Sequence, residues 1–349
     1  MNIITFSEKA GVSVATVSRA LNPKTSHIVK TETRRRILDL AAELNFVPNP
    51  GARVLRGNTR APIAILLRNK DKIFLSEYYA RLLSGIVNTA AEKKQAVHVM
   101  AFTPDPTSDF NEQVTAATVG CGGIIYLSEA LSAKTLFGLE RLHQPFVALS
   151  NCLPPGLDAL ELTFPVFGVE EFRGGCLAME HLIGLGHKRI ALLNGPSNRR
   201  DVHERCEGFE SSMTQNNLVV RSDWCFNEDF SFESGVAAAE RIYPLLNKVT
   251  AVACGNDEQA MGLIRGLASK GVSCPREISV TGFDDALWAS RHSPSLTTIR
   301  QPWMRMAEAS VRMVQDLWGK KREERSRADI SLYEPELIIR ETTASPLTI

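Results

Sequence analysis

The sequence predicts a small all-α head joined to an α/β body of two doubly wound parallel-sheet lobes. Three observations carry this expectation. Charge is segregated: the whole chain of 349 residues is nearly neutral, with 40 Lys and Arg against 39 Asp and Glu, yet residues 1–60 hold ten basic and four acidic side chains. That is +6 on the first segment and −5 on the remaining 289 residues. Capping residues and helical apolar spacing fill the first 45 residues, with no β-rich run among them. From Pro62 onward, short β-rich runs alternate with amphipathic stretches of helical length, the pattern of βαβ units.

At roughly 150 residues per domain the length suggests two or three domains with real cores. Hydrophobic residues at 44% and charged residues at 23% are ordinary globular values, which argues against a disordered or collagen-like chain. No run approaches 18 apolar residues and the opening MNIITFSEKAG lacks a basic-then-apolar signal pattern, so neither a membrane partner nor secretion is expected. The seven cysteines (121, 152, 176, 206, 225, 254 and 274) are scattered and form no CxxC pair. They read as reduced thiols in a cytoplasmic protein rather than a disulfide or zinc framework.

In the head, Thr5-Phe6-Ser7-Glu8 fits a capping box opening a first short helix, with Thr5 as its cap. Gly11 supplies the sharp turn after Ala10. Ser13 then caps a second helix running to about Leu21, which Asn22-Pro23 ends. A third helix, from about Thr31 to Asn45, repeats Ile37, Leu40, Ala41 and Leu44 at helical spacing. Phe6, Ala10, Val17 and Leu21 would face inward. Three short helices with a Gly turn between the first two form the layout of a helix-turn-helix domain. Were the second helix to enter a DNA major groove, its outer face would be Val14, Ala15, Ser18, Arg19 and Asn22. Arg19 can fork onto guanine or a phosphate, Val14 and Ala15 can touch thymine methyls, and Thr16 and Ser18 suit phosphate oxygens. A plain three-helix cap with solvated polar faces fits the same spacing.

The linker Asn49-Pro50-Gly51-Ala52-Arg53-Val54-Leu55-Arg56-Gly57 offers an N-cap and a proline suited to a first helical position. Gly51 costs about 1 kcal/mol against Ala in a helix, and a helix this short is marginal in water. A flexible basic linker reads equally well from composition.

In the body, strands are expected at Pro62–Leu67, Val97–Phe102, Gly123–Leu127 and Phe146–Ser150 in one lobe. In the other they are expected at Arg189–Asn194, Ala251–Cys254, Ile278–Phe283 and Leu337–Arg340. Helices are expected at Tyr79–Glu92, Gly174–Leu185, Gly235–Leu246, Gln259–Lys270 and Trp303–Trp318. Open parallel sheets bind ligands at the carboxyl ends of their strands. The residues there are Ser150 after FVAL, Asn256 after AVACG, Asp284 after ISVTGF, and Gln301 and Trp303 after LTTIR, with Arg205 at a loop-to-helix turn. Asp, Asn, Arg and aromatic faces in one cleft suit a sugar, although each alone is also an ordinary capping or ion-pairing residue. The sequence has no G-x-G-x-x-G after a strand, no Walker A motif and no H-E-x-x-H. His187 and His203 have no metal-spaced partners, so surface or capping roles are expected. No nucleophile–base constellation is visible, and no enzyme activity, cofactor or metal is expected.

AGVSVATVSRALN, followed by ETRRRILDLAAELNFVPN, closely resembles the head of the LacI/GalR family of bacterial transcription regulators. GHKRIALLNGP, TAVACGNDEQAMG and ISVTGFDDALWASRHSPSLTTIRQP resemble that family's effector-binding core, a periplasmic-binding-protein-like fold. The resemblance implies a helix-turn-helix domain at 1–46, a hinge at 47–60 and an effector-binding and dimerisation domain at 61–349. The last divides into an N-lobe of about 61–161 plus 293–322 and a C-lobe of about 162–292 plus 323–345. Val14 and Ala15 stand where family members choose operator bases, and the apolar pair is like that of galactose-type repressors. Thr5 replaces the family's usual Asp cap, and Lys30 replaces a Ser cap, which would shift that cap to Thr31. The linker matches PNxxARxLxxG, implying that Asn49, Ala52, Arg53 and Leu55 form a hinge helix on DNA with Leu55 wedged into the minor groove.

Carried over by position, Arg205, Asn256 and Asp284 match effector hydrogen-bonders and Phe230 an aromatic packed on the ligand. Tyr78 and Tyr79 stand in place of a cleft-lining Phe pair, and Gln301 and Trp303 sit at the crossover between lobes. Ser150 departs from the Asp of several sugar-binding members. The resemblance thus implies a homodimeric repressor of carbohydrate-utilisation genes on a palindromic operator, its partners being duplex DNA, a sugar or glycoside effector and a second copy of itself. A purine effector is the alternative, and a periplasmic-type sugar-binding protein the less favoured one. The chain stops soon after Ile338-Ile339-Arg340 without a heptad tail, so a dimer is expected rather than a tail-assembled tetramer.

Overall fold

A computed structural model describes residues 2–22, 25–46, 61–68, 76–102, 109–127, 142, 144–149, 164–321, 324 and 330–347. The chain falls into two compact units, Met1–Ala61 and Pro62–Ile349. Asn49, Ala52, Arg53, Leu55 and Ser150 lie outside the described residues.

The first unit holds helices α1 (Ile3–Ala10), α2 (Val14–Leu21) and α3 (Thr31–Glu43), with a 3-10 turn at Ser26–Ile28. Its capping differs from expectation at two helix starts, those of α1 and α3. Asn2, in an extended conformation, caps α1, accepting from the Thr5 amide at 2.9 Å. Thr5 sits inside the first turn and gives its own hydroxyl to the same Asn2 oxygen at 3.1 Å. An asparagine three residues upstream is as good a cap as threonine and lets the helix begin earlier. Gly11, at φ 62°, closes α1 in the left-handed region, its amide reaching the Glu8 carbonyl while the Val12 amide reaches that of Ser7. Ser13 caps α2, its Oγ accepting from the Thr16 amide at 3.1 Å. Lys30 occupies the cap position of α3 with no side-chain bond, and Thr31 is the first helical residue rather than its cap.

Phe6, Val17 and Ile37 are fully buried with Ala10, Ala20 and Ala41 between them, and Phe46 stacks on Phe6 at 4.2 Å. Small alanines at the crossings let short helices approach, so three helices close a core that none could bury alone. Leu21, expected inside, is half-buried at its edge.

The second unit is built on two six-stranded sheets. Strands β1 (Ile63–Arg68), β2 (Val97–Phe102), β3 (Gly123–Leu127), β4 (Phe146–Leu149), β5 (Val166–Val169) and β11 (Ile330–Tyr333) form the first, in the order β11-β5-β4-β3-β1-β2 and all parallel. The second contains β6 (Ile190–Asn194), β7 (Cys225–Asn227), β8 (Ala251–Cys254), β9 (Ser279–Asp284), β10 (Thr297–Arg300) and β12 (Glu336–Ile338), in the order β12-β10-β9-β8-β6-β7. It is parallel apart from β12, which runs antiparallel to β10.

Helices α4 (Glu77–Glu92), α5 (Phe110–Ala117) and α10 (Trp303–Leu317) belong to the first lobe. Helices α6 (Glu171–Gly184), α7 (Arg200–Gln215), α8 (Phe232–Ile242) and α9 (Asp257–Ala268) belong to the second. Each sheet is buried on both faces, which is why its strands read as continuous apolar runs such as Ile190–Leu193.

The lobe boundaries inferred from the sequence need correction. β5 lies in the first sheet, not in a C-lobe starting at 162, while β10 lies in the second sheet rather than an N-lobe resuming at 293. β11 returns to the first sheet, within a stretch expected in the C-lobe. These are four-residue strands that complete a sheet by parallel pairing before the chain leaves it, as in Ala148 beside Val166 and Thr297 beside Thr281. They are too short to show a period in sequence. The chain therefore crosses between lobes at β5–α6, β10–α10 and β11–β12.

His187 is also not a surface residue. It is buried, with Nε2 donating to the Ala344 carbonyl at 2.8 Å and Nδ1 meeting the Thr250 hydroxyl at 2.9 Å. It pins the C-terminal segment to the second lobe. Among the described residues, all six cysteines are free thiols, no cluster could hold a metal, and no helix is long and apolar enough to cross a membrane.

Candidate functional site

Two places gather polar groups in arrangements that could meet a partner. On the head, α2 turns Val17 and Ala20 inward, leaving Ala15 and Arg19 exposed and Val14, Thr16, Ser18 and Asn22 half-buried along the opposite side. Ser13 and Thr16 are tied by a hydroxyl contact at 2.9 Å, which fixes the start of that face. A short amphipathic helix with one long cation between small residues has the shape and chemistry to lie in a major groove.

The second place lies where the lobes meet. Helices α6 and α7 approach backbone to backbone: a Cβ at Gly175 would fall 2.2 Å from the Arg205 carbonyl, and one at Gly208 would fall 2.1 Å from that of Phe172. This closeness seats Glu171 against Arg205. Arg205 donates Nε and Nη2 to Glu171 Oε2 at 3.1 and 2.6 Å and Nη1 to the Gly255 carbonyl, and its guanidinium lies 3.6 Å above the Phe283 ring.

Asp284 follows directly in β9 at φ 117°, a strained backbone for a residue with a side chain. Its carboxylate receives Gln301 Nε2 at 2.6 Å. Burial pushes the Glu171 carboxyl up to about 7, with Arg205 pulling against it and Asp201 reinforcing the rise. Burial likewise raises Asp284 to about 7, opposed by Arg205 and by the Gln301 hydrogen bond.

Arg199 and Asp201, which stand next to Arg205 in sequence, were not anticipated. They form a two-pronged pair at 2.9 and 2.5 Å, with Arg199 5.0 Å from the Phe230 ring. Burial lowers the Arg199 pKa, but Asp201 outweighs it and the net direction is up. Phe230 lies on bare backbone, since a Cβ at Gly195 would meet its ring at 2.2 Å. Asn256 holds that loop: its Oδ1 caps α9 by accepting from the Gln259 amide at 2.8 Å, and its Nδ2 donates to the Phe230 carbonyl at 2.9 Å.

On the first lobe, Trp303 is buried at the start of α10 with Tyr78 edge-on at 4.9 Å and Tyr79 beyond it at 5.1 Å from Tyr78. Tyr78 and Tyr79 add to the upward shift of the Arg199 pKa that Asp201 dominates. Glu77, also unanticipated, accepts from Arg81 at 2.9 Å and from the Leu287 amide of the other lobe.

The structure thus gathers Arg205, Asp284, Gln301 and Phe230 with Glu171, Arg199 and Asp201 on one wall, and Tyr78, Tyr79 and Trp303 on the other. Asn256 serves the Phe230 loop. Three buried polar atoms here, Gln301 Oε1, Trp303 Nε1 and Gln259 Oε1, have no partner among the described residues, a condition usually relieved by a ligand or water. The unanticipated residues left only faint signals. Glu170-Glu171 reads as the usual acid at a helix start, and Asp201 with Arg205 as an ordinary i, i+4 pair.

The comparisons with known proteins fit both places. Residues 7–49 match the model for bacterial regulatory proteins of the lacI family, and residues 179–343 match that for a periplasmic binding protein-like domain. The chain belongs to the lacI family of bacterial regulatory proteins.

As a lacI-family member it is a DNA-binding transcriptional repressor. One relative is the HTH-type transcriptional repressor PurR of Haemophilus influenzae, 28% identical over 342 residues that cover 97% of each chain. Among solved structures, the lac repressor dimer bound to operator and the anti-inducer ONPF is 25% identical, with a TM-score of 0.78 and 99% of both chains covered. A lacI-family regulator from Enterococcus faecium with bound ribose is 26% identical at a TM-score of 0.67, covering 81% of this chain and 99% of its own. The lacI-family fold of a helix-turn-helix head and a two-lobed parallel-sheet body is the one described above.

Proposed function

We propose that this repressor acts in the cytoplasm as a homodimer on an inverted-repeat operator and is released or retained by a small sugar bound between its lobes. The observation that carries the ligand half is Arg205 beside Asp284, with Phe230 on the same wall and Trp303 and Tyr78 on the facing one. Forked polar partners suit hydroxyls, and rings suit the C–H face of a sugar. The Enterococcus faecium regulator with bound ribose supports the choice of sugar.

Two heads on a two-fold axis would each place α2 in a half-site, with Arg19 on a base edge or phosphate and Val14 and Ala15 toward thymine methyls. Ser13 and Thr16, with Ser18 and Asn22, would steady the helix on the backbone; Thr5 would do so from α1. Residues 1–46 and 61–349 would be joined by a hinge at 47–60, whose Asn49, Ala52, Arg53 and Leu55 would contact the operator. Ligand would shift the lobes and with them the spacing of the two hinges, a coupling of typically about 1–3 kcal/mol. Ser150 completes the proposed effector set, with Asn256 acting through Phe230.

A purine is the second reading, favoured by the PurR relatives. Fluorescence anisotropy on a palindromic duplex tests the whole scheme. Binding should fall steeply with salt, fail in Arg19→Ala, and respond to one ligand from a panel of monosaccharides, glycosides and purines. Insensitivity to every sugar together with a response to a purine would overturn the sugar assignment.

A further inference from the structure

The charges lining the cleft are arranged in a way that the reading as an effector site does not require. Each guanidinium already owns a carboxylate. Arg205 is held by Glu171 through two donors, both side chains being about 95% buried, and Arg199 is held by both oxygens of Asp201. A paired arginine in a dry site has little charge left to offer an incoming anion. Asp284, by contrast, is met by the neutral amide of Gln301, with Arg205 acting on it only from within the Glu171 pair. Glu258 adds a further negative influence on Asp284. Among the described residues of this wall, three carboxylates (Glu171, Asp201 and Asp284) therefore face two guanidiniums (Arg205 and Arg199), and the surplus sits on Asp284.

Resting on the cleft's being the effector site, we propose that it takes an uncharged ligand rich in hydrogen-bond donors and turns away anions. Glu171 sets this preference by filling the carboxylate seat of Arg205. The ligand's hydroxyls or N–H groups fall on Asp284, which can only accept once ionised. A phosphate or carboxylate group on the ligand would have to approach that same surplus negative charge. Among the described residues it would find the guanidinium edges where it could pair, those of Arg205 and Arg199, already occupied. Like-charge juxtaposition of this kind costs enough to discriminate by about tenfold or more. The same donor-rich edge is offered by a neutral sugar or by a nucleoside, so the test uses both.

The experiment takes the full-length protein and its Glu171→Gln variant. Calorimetry compares galactose with galacturonate, and adenosine with its 5′-monophosphate. Thermal shift compares inorganic phosphate with chloride at equal ionic strength. Phosphate contacts on the head are common to both proteins, so the difference between them reports the cleft. Phosphate is expected to raise the melting temperature of Glu171→Gln over its value in chloride, with a smaller rise or none in the parent. In whichever pair the uncharged member binds, the parent is expected to bind the charged member about tenfold more weakly or worse, and Glu171→Gln to narrow the gap.

Equal stabilisation of both proteins by phosphate, or galacturonate binding the parent as tightly as galactose, overturns the proposal. Adenosine binding without galactose, its monophosphate excluded, would retire the sugar reading and support this one. Glu171→Ser, which leaves room for water at Arg205, stands in if the Gln variant does not fold, and the parent's own ligand pairs need no variant.

Discussion

Asp284 is the residue whose removal should make the protein more stable and less useful. Its carboxyl is raised from 3.8 to about 7, first by burial, with Arg205 and the Gln301 amide offsetting part of that cost. A carboxyl harder to ionise in the folded state than in the unfolded one leaves the fold unpenalised below about pH 4. The penalty grows as pH rises and is complete above about pH 7. The interval corresponds to about 4 kcal/mol.

Asp284→Asn has nearly the same shape, can still accept from Gln301, and tolerates a positive φ better than most residues. It also removes a like charge that raises Glu171. Urea denaturation of the body transition should therefore show the variant more stable than the parent by about 4 kcal/mol near pH 8, the gain vanishing near pH 4. Effector binding should be lost in the same variant, the trade-off expected of a functional charge held in an unfavourable place. A variant no more stable than the parent near pH 8, or displaced equally at both pH values, refutes the reasoning.

Other outcomes follow from the same geometry. Asn2→Ala should destabilise the head by about 1 kcal/mol while Thr5→Ala, inside the helix, costs less; circular dichroism melts of the two variants, compared on the head transition, decide which residue is the cap. Gly175→Ala must push α6 from α7, since its Cβ would sit 2.2 Å from the Arg205 carbonyl; calorimetry should show ligand affinity reduced at least about tenfold, with Gly184→Ala, which meets no atom within 4 Å, as the harmless control. His187 has its pKa lowered, chiefly by burial, so the stability it lends is present above about pH 6.5 and lost as pH falls below it. His187→Gln should cost about 2 kcal/mol at neutral pH and flatten that acid limb in urea titrations.

The broad architecture was legible because its signals are periodic or chemically singular. Within single helices Phe6 and Ala10, Val17 and Leu21, and Ile37, Leu40 and Ala41 recur at helical spacing, and runs such as Ile190–Leu193 are apolar throughout because both faces of the sheet are covered. Gly11 and Ser13 announced their turn and cap through conformations few other residues favour. The crossover strands were not legible, because four residues carry no period and their partners are remote in sequence, as with Ile330 beside Val166. In the cleft, strand ends pointed to Asp284, Gln301 and Asn256. Glu171 escaped because its meaning depends on Arg205, 34 residues away, brought close only by glycines on two helices. Asn256 shows the capping role that its residue type also allowed, its side chain bonding the start of α9 and the Phe230 carbonyl.

Three separate threads of backbone join the two lobes, and this limits how they can be taken apart or moved. Neither lobe is a continuous stretch of chain. Cutting after residue 320 would strip β11 from one sheet and β12 from the other at once, so a deletion meant to isolate one lobe damages both. A single tether would let the lobes swivel freely about each other. Three side by side act as a strap hinge, permitting opening about their common line and resisting twist, so that motion in the body is channelled along one coordinate before it reaches anything attached to it.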